Sequence, residues 1–167
     1  MKLCSVVMLL MASGILTFGQ DTPVDPFTVV ISTRNPVVKS GEEIEVKIAL
    51  TNTSDKELSI AAVIDSDTGL SKNYRFEIRG SNGKLLAKKA YPPRALPPGE
   101  VEGPSTVNNF SVGGLKPGAT SFEERSLMQA YDLEAPDTYH IQLVRYVPGN
   151  PKHPGVRSNT ITVTVTP

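Results

Sequence analysis

The chain has 167 residues, and its 17 Lys and Arg balance its 17 Asp and Glu, so its formal net charge is zero. A nucleic-acid-binding surface on a chain of this size normally requires an excess of basic residues, so the composition argues against nucleic acid as a partner. Hydrophobic residues make up 39% of the chain, which is enough for a folded core and excludes a fully disordered protein.

Residues 1–20 have the order of a secretory signal peptide. Lys2 is their only charged residue, an apolar run extends from Leu3 to Leu10, and small residues lie near Gly19. We therefore predict a signal helix over residues 1–20, cleaved near Gly19 or Gln20, and a secreted or periplasmic protein with no stable membrane span after cleavage. The alternative is an uncleaved anchor, because the apolar-rich stretch reaches the shortest length that can span a bilayer.

Residues 21–167 form a single predicted domain without cysteine. The one cysteine of the chain, Cys4, lies in the predicted signal segment. The exported domain is therefore expected to lack disulfides, thiol nucleophiles and thiolate metal sites, and its hydrophobic core must stabilise it alone. No cofactor is expected.

Alternation of apolar and polar residues predicts strands along much of this domain. Phe27–Thr33 is the first predicted strand, and Glu43–Leu50 follows with a strict period of two, which indicates a half-buried strand. The Asn-Thr-Ser-Asp sequence at 52–55 favours a turn. Leu58–Ile64 is therefore predicted to return as the hairpin partner of Glu43–Leu50.

The next strand is predicted at Tyr74–Arg79, where Tyr74, Phe76 and Ile78 share one face. The Asn82-Gly83 dipeptide follows it. Asn-Gly is the usual sequence of a type I′ hairpin turn, in which both central residues have positive φ. We predict a hairpin with that turn here.

Two proline-rich segments, 90–112 and 148–156, have no periodicity. Proline cannot donate a hydrogen bond to a sheet, so both segments are predicted to be loops. The first is longer than most connections in compact domains, which indicates either a functional loop or a locally loose one.

Residues 120–134 fit two interpretations. Ser121 and Glu124 match the capping box of a helix, whereas Thr120–Ser126 can also form a strand that is followed by a single helical turn. We favour the strand and the turn.

Two further strands are predicted near the C-terminus. Tyr139, Ile141 and Leu143 share one face of the first, and Thr160–Thr166 alternates Thr with Ile or Val in the second. β-Branched side chains favour strands over helices. The chain therefore has seven or eight predicted strands, and we predict an all-β fold built as an antiparallel two-sheet sandwich.

The sequence around Tyr139 resembles a known structural motif. Residues 131–139, Tyr-Asp-Leu-Glu-Ala-Pro-Asp-Thr-Tyr, resemble the Pro-Gly-x-Tyr corner before the penultimate strand in many immunoglobulin-like modules of secreted bacterial proteins, with Asp137 in place of the glycine. This resemblance implies an immunoglobulin-like β-sandwich. It also implies that Tyr139 is a structural corner tyrosine whose hydroxyl bonds a nearby backbone group.

A weaker similarity points to the bacterial intracellular proteinase inhibitor family. It is made of Asn-Thr-Ser-Asp-Lys at 52–56, Tyr-Arg-Phe-Glu-Ile-Arg at 74–79, Gly-Lys at 83–84 and Leu-Lys-Pro-Gly at 115–118. This similarity implies a proteinase-inhibitor function, although the predicted export signal departs from the intracellular location of that family. These motifs consist of turn and strand residues, so they report architecture more than function.

The chain after the signal segment offers few groups for catalysis. His140 and His153 are its two imidazoles. By strand phase His140 faces away from Tyr139, toward solvent, and His153 lies in a proline-rich loop. Neither has an adjacent Asp or Glu that would orient it as a catalytic base, so both are predicted to be surface histidines and the protein is predicted not to be an enzyme.

Loops are the predicted carriers of any binding specificity. The proline-rich segment around Tyr91 and Arg94 has a stiff, extended backbone that could dock a partner with little loss of entropy. Its alternative role is a stiff crossover between sheets. Tyr91, Arg94 and His153 are the predicted binding residues.

Two short motifs have an alternative chemical interpretation. Asp65 and Asp67 alternate as calcium ligands do, but the remaining ligand positions of a calcium loop are missing, so a polar turn and no metal are predicted. Asn-Thr-Ser at 52–54 and Asn-Phe-Ser at 109–111 match the glycosylation acceptor sequence. Turn propensity explains both equally well.

We therefore expect an exported, non-catalytic immunoglobulin-like domain that binds an unknown protein partner or interacts with the cell envelope. The alternative is a proteinase inhibitor that presents the proline-rich loop 90–103.

Overall fold

The computed structural model describes residues 24–63, 73–89, 109–147, 149–150 and 152–167. All regular elements in these ranges are strands, so the predicted all-β class is confirmed. The predicted signal helix over residues 1–20 lies outside them. The strands are β1 (Phe27–Ser32), β2 (Val37–Lys39), β3 (Glu45–Asn52), β4 (Leu58–Val63), β5 (Tyr74–Arg79), β6 (Asn109–Leu115), β7 (Thr120–Ser126), β8 (Asp137–Arg145) and β9 (Val156–Thr166).

The strands form two larger sheets and a ribbon. The three-stranded sheet has the order β1-β3-β7, the four-stranded sheet has the order β2-β9-β8-β5, and β4 pairs with β6 alone. Inward-facing residues of both larger sheets belong to one hydrophobic core. The two sheets therefore pack face to face.

The hydrophobic core is formed by the residues that the period-two alternation of the sequence predicts to be buried. Ile44, Val46, Ile48 and Leu50 are all buried, while Lys47 between them is exposed. Phe76 and Ile78 in β5, Tyr139, Ile141 and Leu143 in β8, and Val163 and Val165 in β9 are buried in the same way. Because successive side chains of a strand point to opposite faces, each of these strands has one apolar side between the sheets.

Strand pairing differs from the sequence prediction in two places. β4 does not pair with β3, because the two edges of β3 are occupied by β1 and β7. β4 pairs with β6 instead, so Asn109–Val112, which we expected to be part of a loop, is in a strand.

The predicted antiparallel arrangement is also incomplete, because β2 pairs with β9 in parallel. The chain leaves β1 at Ser32, crosses to the other sheet, and meets β9 in the same direction at Val37. The three-residue β2 has too few residues to show an alternating pattern, which is why the sequence did not reveal it.

The turn after β5 forms, but it is not of type I′. Gly83 has a φ of +76°, whereas all described non-glycine residues, including Asn82, have negative φ. Gly83 N–H donates to the Gly80 carbonyl at 2.9 Å, and Asn82 Oδ1 accepts from Lys84 N–H at 2.8 Å. A turn with negative φ at its two central residues, followed by a left-handed glycine, connects hairpins through a bulge. The returning chain bridges to β5 at Leu85.

The favoured interpretation of residues 120–134 is confirmed. β7 covers Thr120–Ser126, and Tyr131 N–H then donates to the Leu127 carbonyl at 3.0 Å, which closes one helical turn. Leu127 is fully buried, so this turn contributes a side chain to the hydrophobic core.

One side chain of β9, in the four-stranded sheet, bonds β1, an edge strand of the three-stranded sheet. The Asn159 amide in β9 donates to the Ile31 carbonyl at 2.9 Å and accepts from the Ile31 N–H at 2.8 Å. The Asn159 side chain thus pairs with β1 as a neighbouring strand would, and it fixes the position of β1 beside β9.

Candidate functional site

Four of the sequence-predicted site residues lie outside the residues that the structure describes. Tyr91, Arg94 and the loop 90–103 lie outside the described residues, and so do Asp65 and Asp67. Within the ranges that the structure describes, no group of three or more His, Cys, Asp or Glu is arranged to hold a metal ion. No helix in those ranges has the length and hydropathy needed to cross a membrane.

His153 is buried, whereas we expected it at the surface. Its Nδ1 atom accepts a hydrogen bond from Gly155 N–H at 3.1 Å, so the proton of the neutral ring is on Nε2. Nε2 lies 3.1 Å from Asp25 Oδ1, but the two atoms are not aligned as a hydrogen bond. His153 therefore packs the loop before β9 against the segment before β1, which leaves little of its ring available to a partner. His140 is exposed as expected.

Tyr139 lies at the start of β8 with its ring in the core. Its hydroxyl donates to the Ala135 carbonyl at 2.9 Å. The bond joins β8 to the chain that leads into it.

The outer face of the three-stranded sheet has an exposed apolar row. The strand register places Val30 of β1 opposite Ala49 of β3, and Ala49 opposite Phe122 of β7. Val30 is 53% exposed and Phe122 is 62% exposed. Three strands therefore bring two large apolar side chains and a small one into one line across the sheet. This row is not predicted from the sequence, because it depends on the register of three separate segments.

Short polar rows border this apolar row. Thr28, Thr51 and Thr120 lie on one side, where the hydroxyls of Thr51 and Thr120 are 2.8 Å apart. On the other side the Lys47 ammonium lies 4.8 Å from the centre of the Phe122 ring. We call the surface formed by these polar residues and the apolar row the outer apolar face.

The outer face of the four-stranded sheet is different, because its charges pair with one another. Arg157 of β9 donates to Glu77 of β5 at 2.9 Å and to Gln142 of β8 at 2.8 Å, and Arg75 donates to Glu77 at 2.7 Å. The hydrogen bond from Arg157 is the main cause that lowers the pKa of the Glu77 carboxyl below its usual value. This face therefore has an internal network of polar contacts.

A buried arginine lies between the two sheets near the β4–β6 ribbon. Arg145, the last residue of β8, is only 3% exposed. Its guanidinium carbon lies 4.8 Å from the centre of the Tyr74 ring and 5.7 Å from the centre of the Phe27 ring. Cations are attracted to the faces of aromatic rings at such distances. We call Phe27, Tyr74 and Arg145 the arginine cage.

A chain of hydrogen bonds continues from the cage to the edge strand β7. The Tyr74 hydroxyl donates to Glu123, and Glu123 also accepts from Arg125 at 2.6 Å. Burial raises the pKa of the Tyr74 phenol far above its usual value, so this ring is neutral at physiological pH. Tyr74 is on β5 and Glu123 is on β7, so this contact links the free edges of the two sheets.

Arg145 is not among the residues predicted from the sequence, although the sequence contains the signal for it. Tyr139, Ile141 and Leu143 define the inward face of β8, and the next residue in that phase is Arg145. A charged residue at an inward position of a strand is unusual enough to mark a candidate site.

Comparison with known proteins does not assign this chain to a family. No protein-family model matches the sequence, and a search of the curated proteins finds no match.

Proposed function

We propose that the protein is an exported, non-catalytic immunoglobulin-like domain that binds a protein partner at the cell envelope through its outer apolar face. The observation that carries this proposal is the aligned exposure of Val30 and Phe122 on one sheet. The non-catalytic part rests on a chain with two His and one Cys, of which the Cys lies in the predicted signal segment.

The strand order supports the immunoglobulin-like part of the proposal. In immunoglobulin-like sandwiches strands A, B and E share one sheet, and strands C, F and G share the other. The order β1-β3-β7 matches the order A-B-E, and β5, β8 and β9, which share the other sheet, would correspond to C, F and G. In this correspondence Tyr139 lies at the start of strand F, where a corner tyrosine bonds the backbone a few residues upstream.

A Tyr139→Phe substitution is expected to destabilise the protein by about 1–2 kcal/mol, because it leaves the Ala135 carbonyl without its donor and keeps the ring packing unchanged. Chemical denaturation measures this loss. The exposed Tyr146 serves as the matched control, and its replacement by Phe should change stability by less than about 0.5 kcal/mol. Equal stability of Tyr139→Phe and wild type would remove the corner role.

The outer apolar face has the composition of a protein-binding surface. Aromatic residues are enriched in protein interfaces, and an apolar centre with a polar rim is their usual arrangement. Phe122 supplies the aromatic centre, Val30 and Ala49 extend it, and the threonine row with Lys47 forms the rim. The fitting partner presents an apolar patch of similar width with hydrogen-bonding groups around it.

The other large face is less suited to this role. Its arginines are already bonded to Glu77 and Gln142, so a partner that used them would first have to break those contacts. At the apolar row of the outer apolar face, binding removes exposed apolar surface from water, which is favourable at about 25 cal/mol per Å² before the costs of association.

A comparative capture experiment tests the function. The protein is used as bait on the native envelope fraction, together with Phe122→Ser and Val37→Ser variants. Val37 is 62% exposed on β2, as is Phe122 on β7, so Val37→Ser removes an equally exposed apolar group from a different sheet. We expect a partner that wild type and Val37→Ser retain and that Phe122→Ser loses, by about tenfold or more in Kd once the partner is purified. Equal retention by all three proteins would contradict the proposal.

A further inference from the structure

The outer edge of β7 carries backbone groups that can bind another strand. In the order β1-β3-β7, β3 lies along one edge of β7, and among the described residues no strand lies along the other. A row of unpaired N–H and C=O groups at the edge of a sheet is a template for a second extended chain. The hydrogen bonds between β3 and β7 identify the residues that carry these groups.

These hydrogen bonds alternate along β7. At one end of the ladder, Asn52 N–H donates to the Ala119 carbonyl at 3.0 Å, and at the other end Leu127 N–H donates to the Ile44 carbonyl at 3.0 Å. Both bonds join residues that are directly opposite when the register of the two strands is extended by one residue. Bonded and unbonded pairs alternate in an antiparallel ladder. Counted from either end, the residues of β7 that bond β3 are Ser121, Glu123 and Arg125.

The residues between them face the other way. The backbone N–H and C=O groups of Thr120, Phe122 and Glu124 point to the outer edge of β7, and the backbone hydrogen bonds of the described residues give them no partner there. All three residues are exposed. The edge therefore presents three residues that can form backbone hydrogen bonds, with Phe122 in the middle.

We propose that a second copy of this chain binds this edge, by antiparallel pairing of the two β7 strands about a twofold axis at Phe122. The axis places Phe122 opposite the partner subunit's Phe122, and Thr120 opposite the partner subunit's Glu124. Each pair exchanges two backbone hydrogen bonds, about six in all. The two three-stranded sheets become one sheet of six strands, and the row of Val30, Ala49 and Phe122 continues across the axis.

Charges favour this register over its neighbours. An axis at Glu123 or at Glu124 would place two copies of that carboxylate directly opposite each other, and like charges in that position destabilise a sheet. An axis at Ser121 would leave fewer backbone hydrogen bonds. The axis at Phe122 instead places Glu123 opposite Ser121 and Glu124 opposite Thr120, so each carboxylate faces a hydroxyl. A twofold interface of this kind is closed, so it produces a dimer and not a filament.

Sedimentation equilibrium of the purified protein tests the proposal. Only five residues of each strand face each other, and small interfaces belong to weak complexes, so we expect a Kd on the order of 10–100 µM. The apparent mass should therefore rise from that of a monomer toward that of a dimer between about 1 µM and about 1 mM protein. A monomer at every concentration would overturn the proposal. Because the experiment uses the purified protein alone, that outcome would leave the proposed binding of a protein partner unaffected.

A Glu124→Pro variant assigns the dimer to this edge. Proline has no N–H, and the N–H at position 124 points away from β3, so the hydrogen bonds inside the sheet are kept. We expect a Kd of dimerisation at least tenfold higher than that of wild type. Glu124→Gln is the matched control, because it removes the charge and keeps the N–H, and it should dimerise as wild type does.

A Phe122→Lys variant decides the question if Glu124→Pro does not fold. It places two ammonium groups opposite each other at the twofold axis, and Phe122 is 62% exposed, so the monomer keeps its core. Its dimerisation should also be at least tenfold weaker than that of wild type. A dimer of wild-type affinity in either folded variant would place the interface elsewhere and overturn the proposal.

Discussion

A Val46→Asp substitution is expected to abolish cooperative folding. Val46 is fully buried in the central strand of the three-stranded sheet, with β1 and β7 on either side of its backbone. A carboxylate at this position would lose its water and find no partner in the apolar core, at a cost of several kcal/mol. Since a domain of this kind is stable by about 5–15 kcal/mol in total, the substitution removes most of that margin. Circular dichroism during heating should show no sharp transition.

Val30→Asp is the matched control for this experiment. It places the same new residue on the neighbouring strand, but at a side chain that is 53% exposed on the outer apolar face. The carboxylate stays hydrated there, so the loss should be about 1 kcal/mol or less, mostly from the lower strand propensity of Asp. Equal destabilisation by the two substitutions would mean that the inner and outer faces have been assigned wrongly.

Strand positions and faces were readable in the sequence because they depend on local alternation. Val46 and Lys47 point to opposite sides for that reason alone. The pairing partners were not readable in the same way. Nothing local to Leu58–Val63 shows that the edges of β3 are occupied by β1 and β7, so proximity along the chain wrongly suggested a hairpin.

The same distinction applies to the candidate sites. Arg145 could have been assigned to the core by extending the phase of Leu143, but its charge favours a surface position until Phe27 and Tyr74 surround it. Those rings come from distant segments, so their arrangement follows from the fold. The row of Val30, Ala49 and Phe122 likewise requires the register of three strands, which period-two patterns leave open.

Asn52 was predicted to lie in a turn, but its side chain is buried and has a structural role. The sequence indicated a turn and a glycosylation acceptor at this position, yet Asn52 is 1% exposed. Its Nδ2 donates to the carbonyls of Lys56 and Leu115, both at 2.7 Å, and its Oδ1 accepts from the N–H and the hydroxyl of Ser54 at 2.9 and 2.7 Å. The amide thus holds the turn after β3 and the end of β6 together. Its nitrogen is not accessible for a glycan in the folded protein.

An Asn52→Asp substitution is therefore expected to lower the free energy of unfolding by about 3–5 kcal/mol, although the two side chains have nearly the same shape. It replaces the Nδ2 donor by an oxygen that faces the Lys56 and Leu115 carbonyls, so two hydrogen bonds become repulsive contacts.

Because burial and these carbonyls favour the protonated acid, the folded variant binds its proton more tightly than the unfolded chain does. The loss of stability relative to wild type should therefore become smaller as the pH falls toward about 4, the ordinary range of an Asp pKa. Urea denaturation at pH 7 and pH 4 measures both effects, relative to wild type at each pH. Asn35→Asp, at an exposed position, should be nearly neutral at both values. A deficit that does not depend on pH would contradict the acceptor–acceptor contact as its cause.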